Sequence, residues 1–153
     1  LGAGCGHVEV AATVAAAAAA ADVVCTVTGS PTAILSGRDV RKGTHLCLVG
    51  ASIPSSREVD DDLVALSRYF VAYRGSALAQ AGELLDAIKA GRVTAAHILG
   101  EIGDVLSGTV PGRLTDDDVT VYKSLGVAAQ DLVSALVVYR HALERGLGTA
   151  AEL

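Results

Sequence analysis

Short, continuous apolar runs separated by helical segments constrain the fold of this chain more than any other feature of its sequence. The runs are rich in Val, Leu and Cys and do not alternate with polar residues. Such runs are typical of strands in a parallel sheet that helices bury on both faces. The sequence therefore predicts an α/β fold, built on a doubly wound parallel sheet with right-handed crossovers.

Five runs are predicted as strands and five segments as helices. The strands cover residues 7–11, 22–28, 44–50, 68–72 and 119–122. The helices cover residues 13–21, 60–67, 76–90, 94–106 and 124–145. Ligands of such sheets bind beyond the carboxyl ends of the strands. We therefore expect the functional site among residues 26–30, 49–54, 73–74 and 123–126.

Charge and hydropathy exclude several classes of partner. The 153 residues carry 12 Lys and Arg against 17 Asp and Glu, so the net charge is −5. An acidic chain without a basic cluster argues against nucleic acid and against an anionic membrane surface. The longest apolar stretch, residues 10–21, is mostly Ala and shorter than the roughly 20 apolar residues of a membrane span. The sequence also lacks the pattern of a signal peptide, so we expect a cytoplasmic location.

The cysteines, histidines and acidic triplets do not predict a metal site. The cysteines are widely spaced without a CxxC motif, and we expect buried free thiols. The histidines lack a second ligand at metal spacing and are expected to be structural. The triplets at 60–62 and 116–118 precede apolar elements and are interpreted as entry charges. The residues considered are Cys5, Cys25, Cys47, His45, His97 and His141.

The glycines at the start of the chain match a dinucleotide-binding fingerprint only in part. Gly2 and Gly4 fit its first two positions, but His7 occupies the third. No strand precedes Gly2 and the segment that follows His7 is predicted as extended, so a pyrophosphate would lack a helix N-terminus. We interpret these glycines as the end of a helix. The pyrophosphate-binding loop is therefore expected to be absent from this sequence.

Residues 22–149 carry a series of motifs whose order and spacing are more specific than any one of them. They are ADVVCTVT at 21–28, GTHLCLVGAS at 43–52, REVDDDL at 57–63, GEIGDVLSG at 100–108, YKSLG at 122–126 and GLGT at 146–149. Together they resemble the ornithine cyclodeaminase/mu-crystallin family. The resemblance implies a Rossmann-like domain that binds NAD or NADP. It also implies a separate domain for substrate and dimerisation, built mainly from an N-terminal part.

The resemblance implies that the chain holds an incomplete Rossmann-like domain. Residues 1–122 would form the second half of the NAD(P)-binding domain, and residues 123–153 a C-terminal helix that returns to the substrate and dimer domain. The family's first strand, glycine-rich turn and homodimer domain are not matched, so we expect a truncated chain. We therefore expect weak or absent cofactor binding by these residues alone. An open apolar edge at strand 22–28 and an exposed apolar patch on the last helix are also expected.

The resemblance also implies which residues form the site. The cofactor contacts that it implies are Thr26, Val27, Thr28, Val49, Gly50, Ala51, Gly82, Lys123 and Ser124. The substrate contacts that it implies are Ser52, Leu125 and Gly126. Thr26–Thr28 could instead be a polar strand end, Ser52 a loop cap, and Lys123 a solvated charge.

Ser52 is the candidate catalytic position. It matches the place of an aspartate in true cyclodeaminases, and a serine hydroxyl cannot replace that carboxylate as a general base. The match favours the mu-crystallin and ketimine-reductase branch, with hydride transfer between NAD(P) and the C=N or C–N bond of a small amino or imino acid. The alternatives are a non-catalytic protein that binds NADPH and a small ligand, or an inactive truncated fragment.

Overall fold

A computed structural model describes residues 6–149 and 151 and contains a five-stranded, entirely parallel sheet. The spatial order is β1-β2-β5-β3-β4, so the last strand along the chain lies at the centre. The predicted α/β, Rossmann-like class is confirmed. The strands are β1 (Val23–Thr26), β2 (His45–Leu48), β3 (Arg68–Val71), β4 (Ile98–Glu101) and β5 (Thr120–Lys123).

Helices follow or separate the strands, as the alternating pattern predicts. Two 3₁₀ helices, Gly37–Asp39 and Ala95–His97, supplement the α-helices in the described part of the chain. The α-helices are α1 (Val14–Ala18), α2 (Asp61–Leu66), α3 (Arg74–Gln80), α4 (Gly82–Lys89), α5 (Ile102–Leu106) and α6 (Ala128–Glu144). None of the helices within residues 6–149 is long and apolar enough to cross a membrane.

One face of the sheet is tightly packed and the other is partly open. Leu46, Val121 and Tyr69 share one level of the packed face, where α2 and α4 complete a single apolar core. On the opposite face, Cys25 is exposed and Cys47 is half-buried, and both are free thiols. The expectation of buried thiols is therefore wrong for Cys25, because no described helix covers this part of the sheet; Cys5 lies outside the described residues.

The predicted strand at residues 7–11 is not a strand. These residues are exposed and carry no strand assignment. β1 pairs with β2 alone and so forms one edge of the described sheet. Residues 7–11 thus lack the ladder of hydrogen bonds that would turn an extended segment into a strand. The predicted open edge at β1 is confirmed, and Val23 on it is 58% exposed.

The predicted helix 76–90 is divided into α3 and α4 by Ala81, which is extended (φ −75°, ψ 92°). The next residue, Gly82, packs against a loop whose backbone leaves no room for a side chain. A Cβ on Gly82 would overlap the carbonyl oxygen of Ser56 and lie 2.9 Å from that of Pro54. The chain therefore turns at Ala81 so that Gly82 can begin a new helix against this loop.

The predicted helix 94–106 is interrupted by a strand, which the 3₁₀ helix Ala95–His97 precedes. Ile98–Glu101 forms β4, which pairs with β3 at the second edge of the sheet, and only Ile102–Leu106 is α-helical. The apolar residues of this segment recur at helical spacing, which explains the wrong prediction. Pairing with β3 and burial of Ile98 in the core outweigh that local preference.

The predicted helix 124–145 begins later, at Ala128, because Gly126 has a φ of +78° and turns the chain after β5. The helix α6 is exposed along its length, and most of its large apolar side chains face solvent. The predicted apolar patch on this helix is confirmed.

Candidate functional site

The carboxyl ends of β1, β2 and β5 meet at one edge of the sheet. Beyond β1 and β2, the backbone amides of Val49 and Gly50 donate to Thr26 O at 3.0 and 3.1 Å. Beyond β5, the amide of Ser124 donates to Leu48 O at 3.0 Å. The structure therefore brings together three of the predicted segments, residues 26–28, 49–52 and 123–126.

Two of these loops touch directly at Gly50. A Cβ at this position would overlap the backbone N and O of Thr28 and the Oε1 atom of Glu58. Only a glycine lets the two backbones approach so closely without displacing one of them. We name residues 26–28 and 49–52 the paired loops.

The centre of the paired loops is a carboxylate that the sequence analysis did not select. Glu58 is fully buried, with 0% of its surface exposed. Its Oε1 accepts from Thr28 N at 2.6 Å and from Thr28 Oγ1 at 2.8 Å. Its Oε2 accepts from Thr26 Oγ1 at 2.7 Å, Gly50 N at 2.9 Å and Ala51 N at 3.3 Å. One side chain thus holds both loops.

Glu58 stays charged despite its burial. Burial by itself raises the pKa of a carboxyl group, but the hydrogen bonds from Thr26, Thr28 and Ala51 outweigh it. The pKa of Glu58 is therefore lower than its ordinary value of 4.5. At neutral pH the paired loops enclose a buried anion whose charge is compensated by hydrogen-bond donors.

The segment that carries Glu58 is itself fixed by backbone pairing. The amides of Ile34 and Leu35 both donate to Glu58 O, at 2.9 and 3.1 Å. Leu35 also forms an isolated parallel bridge with Val59. The guanidinium of Arg57 donates to Val59 O and to Asp61 and Asp86. These contacts fix the backbone at Glu58, which belongs to neither β1 nor β2, so that its side chain can reach the paired loops.

Lys123 lies inside the protein, so the alternative of a solvated charge is wrong. Only 1% of its surface is exposed. Its Nζ donates to Ala51 O at 2.5 Å and lies 2.9 Å from Glu83 Oε1 as a buried ion pair. In β5, Lys123 faces the packed side of the sheet beside Leu48 and Val71. The Lys123 side chain therefore holds the loop after β2 by its hydrogen bond to Ala51, from the packed face of the sheet.

Two polar groups beside this ion pair have no hydrogen-bond partner among the described residues. They are the Glu83 carboxylate, which has the ion pair of its Oε1 with Lys123 as its one polar contact there, and the Oη of Tyr69. Burial, followed by the negative charge of Glu83, raises the pKa of Tyr69 well above its ordinary value. Gly82 is buried against the loop 54–56, and its predicted cofactor contact stays a prediction.

The accessible part of the site combines apolar side chains with hydroxyl groups. Val27 and Val49, one from each of the paired loops, are 72% and 44% exposed. Thr28 and Ser52 are also exposed, and Ser124 is half-buried. Leu125 packs partly against the core, whereas Gly126 is exposed. Exposed apolar surface beside hydroxyl groups suits a flat heterocycle with a polar substituent, such as a nicotinamide.

His45 and His97 take structural roles, whereas His141 is exposed on α6. His97 Nε2 lies 2.7 Å from Val64 O, and His45 Nδ1 lies 2.8 Å from Thr120 Oγ1. Burial and the charge of Arg113 lower the pKa of His45. Across residues 6–149 and 151, no group of three His, Cys, Asp or Glu side chains is placed to hold a metal ion.

Comparisons with known proteins find relatives that match most of this chain. The ketimine reductase mu-crystallin of Mus musculus is 40% identical over 134 residues, which cover 88% of this chain and 40% of that protein. The Delta(1)-pyrroline-2-carboxylate reductase of Bacillus cereus (strain ATCC 10987) is 35% identical over 133 residues, covering 86% of this chain and 41% of the relative.

A solved structure shares the fold. The Delta(1)-pyrroline-2-carboxylate reductase of Thermococcus litoralis, in complex with NADH and L-proline, superposes with a TM-score of 0.83 and 29% identity. The match covers 91% of this chain and 43% of that one. The chain thus spans about two fifths of the length of these relatives. The profile of one family matches residues 4–146, and the chain belongs to it: the ornithine cyclodeaminase/mu-crystallin family.

Proposed function

We propose that this chain supplies the nicotinamide side of an NAD(P)-binding site in a protein that reduces the C=N bond of small imino acids. The observation that carries the proposal is the meeting of the β1, β2 and β5 ends, where Val27, Val49 and Ser52 of the paired loops are each exposed. The family relationship supports it, because relatives include a ketimine reductase and a pyrroline-carboxylate reductase.

The residues of the chain have distinct parts in this proposal. A bound NAD(P)H supplies the hydride. Val27 and Val49 pack against the ring and keep water from it. The Ser124 hydroxyl hydrogen-bonds a polar substituent of the cofactor, and Ser52 holds the substrate, whereas the Thr28 hydroxyl is already engaged by Glu58. Glu58, enclosed by hydrogen-bond donors, and Lys123, ion-paired with Glu83, are both buried and do not contact the substrate.

Ser52 favours a reductase over a cyclodeaminase. Its hydroxyl can donate or accept a hydrogen bond but is no general base near neutral pH. Cyclodeamination needs a group that takes and returns a proton beside the reacting amine. Reduction of an imine needs the substrate held in place and a proton that water can deliver.

A second candidate function is binding of NADPH and a small ligand without turnover. The observation that favours it is the lack of an exposed ionisable side chain among the described residues of the paired loops.

The remaining expectations stand as proposals. These are the division into residues 1–122 and 123–153, a pyrophosphate loop outside this sequence, a homodimer and a cytoplasmic location.

The test follows the absorbance of NADH and NADPH with the intact protein and cyclic imino acids of five- and six-membered rings. We expect oxidation only when an imine is present, and no ammonia release from ornithine. Ser52→Ala should lower kcat/KM for the imine about three- to tenfold through the loss of one hydrogen bond. The matched control is Ser107→Ala, which removes an exposed hydroxyl at the end of α5 and should leave kcat/KM for the imine unchanged.

Two other results are informative. Tight NADPH binding without turnover of any imine would contradict the reductase function and support the second candidate, a binding protein without turnover. If neither cofactor binds to the intact protein, both candidate functions are wrong.

A further inference from the structure

We propose that Glu58 is a positioning residue: it fixes the separation of the paired loops, and thereby the surface on which Val27 and Val49 receive the cofactor. This inference rests on the proposed function and adds a residue that does not itself touch the cofactor. It is carried by the geometry of five hydrogen bonds that converge on one buried side chain.

The five donors are divided between the loops. Oε1 serves only the β1 loop, through the amide and hydroxyl of Thr28. Oε2 joins the loops, because it accepts from Thr26 and from the amides of Gly50 and Ala51. Because three of the donors are backbone amides, the carboxylate is hydrogen-bonded to the backbones of both loops and not only to their side chains.

The same contacts decide which side chains reach solvent. Thr26 and Thr28 both turn their hydroxyls inward to Glu58. Successive side chains of an extended segment point to opposite sides, so Val27 between them points outward. Its 72% exposure follows from this arrangement. Glu58 therefore presents an apolar surface without being part of it.

Only an ionised carboxylate satisfies this set of donors. A glutamine has the same shape but replaces one oxygen by an NH₂ group, which is a donor. If that group lies at the Oε1 position, it meets the amide of Thr28; at the Oε2 position it meets the amides of Gly50 and Ala51. At least one amide of the paired loops then loses its acceptor, and the loops separate. An aspartate keeps the charge but is one methylene too short to reach both loops.

The experiment compares E58Q and E58D with wild type in the intact protein. The Kd of NADPH, from quenching of protein or nicotinamide fluorescence, should rise about tenfold in E58Q, as expected for a buried amide left without a partner. KM for the cofactor should rise by a similar factor. The kcat at saturating cofactor should stay within about twofold. E58D should show a cofactor affinity between the two.

A control separates positioning from loss of stability. Ile98 is buried in β4, at the opposite edge of the sheet from β1. Ile98→Val and Ile98→Ala create cavities of increasing cost without touching the paired loops. The variant that matches E58Q in urea unfolding should keep the wild-type Kd. Amide hydrogen exchange should accelerate in E58Q at Thr28 or at Gly50 and Ala51, and not in the Ile98 variants.

Each outcome decides something. If E58Q binds NADPH like wild type, or if the matched Ile98 variant loses as much affinity, the positioning role is wrong and the proposed function stands. If the wild-type protein binds neither NADPH nor NADH, the proposed function is wrong, and the positioning role is overturned with it. A selective loss of cofactor affinity with faster exchange at the paired loops supports the role.

Discussion

Gly50 shows how a single residue limits the site. The backbone of Thr28 and the carboxylate of Glu58 occupy the space that any side chain at position 50 would need. Gly103, in α5, is exposed and has no heavy atom within 4 Å of a built Cβ. A side chain is therefore sterically excluded at position 50, whereas position 103 has space for one.

We predict that Gly50→Ala lowers the free energy of unfolding by about 1–3 kcal/mol, because the paired loops must separate to admit the methyl group. Gly103→Ala should instead raise it by about 0.5–1 kcal/mol through helix propensity. Urea unfolding followed by circular dichroism measures both. Equal stability of Gly50→Ala and wild type would show that the loops are not held as closely as the structure has them.

The sequence located the loops of the site but not the residue that holds them. The polar ends of the apolar runs placed Thr26–Thr28 and Val49–Ser52 at one edge of a parallel sheet. Glu58 lies 30 and 32 positions from its threonine partners, and no local pattern reports such a contact. Glu58 stands between Arg57 and the aspartates at 60–62, so the local composition does not mark it as buried. Lys123 was misjudged in one alternative because charge alone does not reveal burial.

At the scale of elements, Asp60 connects the 3₁₀ helix Gly37–Asp39 to α2. Its Oδ1 accepts from Leu63 N at 2.8 Å as the N-cap of α2, and from Gly37 N at 3.0 Å. Its Oδ2 accepts from Ser36 Oγ at 2.5 Å. Burial by itself raises the pKa of Asp60. These hydrogen bonds and the charge of Arg57 outweigh burial, so the pKa of Asp60 is lower than its ordinary value of 3.8.

A lowered folded-state pKa makes stability depend on acid pH. The contribution of Asp60 is fully present above the unfolded value of about 3.8 and is lost as the pH falls through the lower folded value. We predict that Asp60→Asn, whose amide oxygen keeps both backbone bonds, is nearly as stable as wild type at neutral pH. It should lose less stability than wild type on acidification.

The measurement is urea unfolding at a series of pH values from neutral to below 3.8, with Asp60→Ala as the control that removes the cap. Asp60→Ala should cost about 1–2 kcal/mol at neutral pH. Parallel pH curves for wild type and Asp60→Asn would contradict the prediction. Glu58, whose pKa is also lowered, titrates in both proteins and cancels in the comparison.

At the scale of the whole molecule, the exposed surface of α6 stands out. Leu132 is 71% exposed, and Leu136, Val137 and Tyr139 also face solvent. Apolar surface of this extent on a globular chain favours contact with other apolar surfaces. The open edge of β1 also favours association, because its backbone N–H and C=O groups are unpaired and can bond to another chain.

We predict that the 153-residue chain binds a hydrophobic dye and self-associates as its concentration rises. The double variant Leu132→Lys, Leu136→Lys should reduce both effects, since lysine keeps the helix and removes apolar surface. Gln130→Lys with Ser134→Lys adds the same charge at exposed polar positions of α6 and should leave dye binding unchanged. Dye fluorescence and light scattering measure the outcome. A monodisperse monomer that binds no dye would contradict the prediction.

The sequence alone determined the α/β class, four of the five strands and the edge of the sheet that carries the candidate site. These features follow from local apolar patterning, which is written into neighbouring residues. Tertiary structure alone decided that 98–101 is a strand, that residues 7–11 are not, and that β5 lies at the centre. It also decided that Glu58 and Lys123 are buried beneath the paired loops. Pairing and burial depend on residues distant in sequence, so no local pattern contains them.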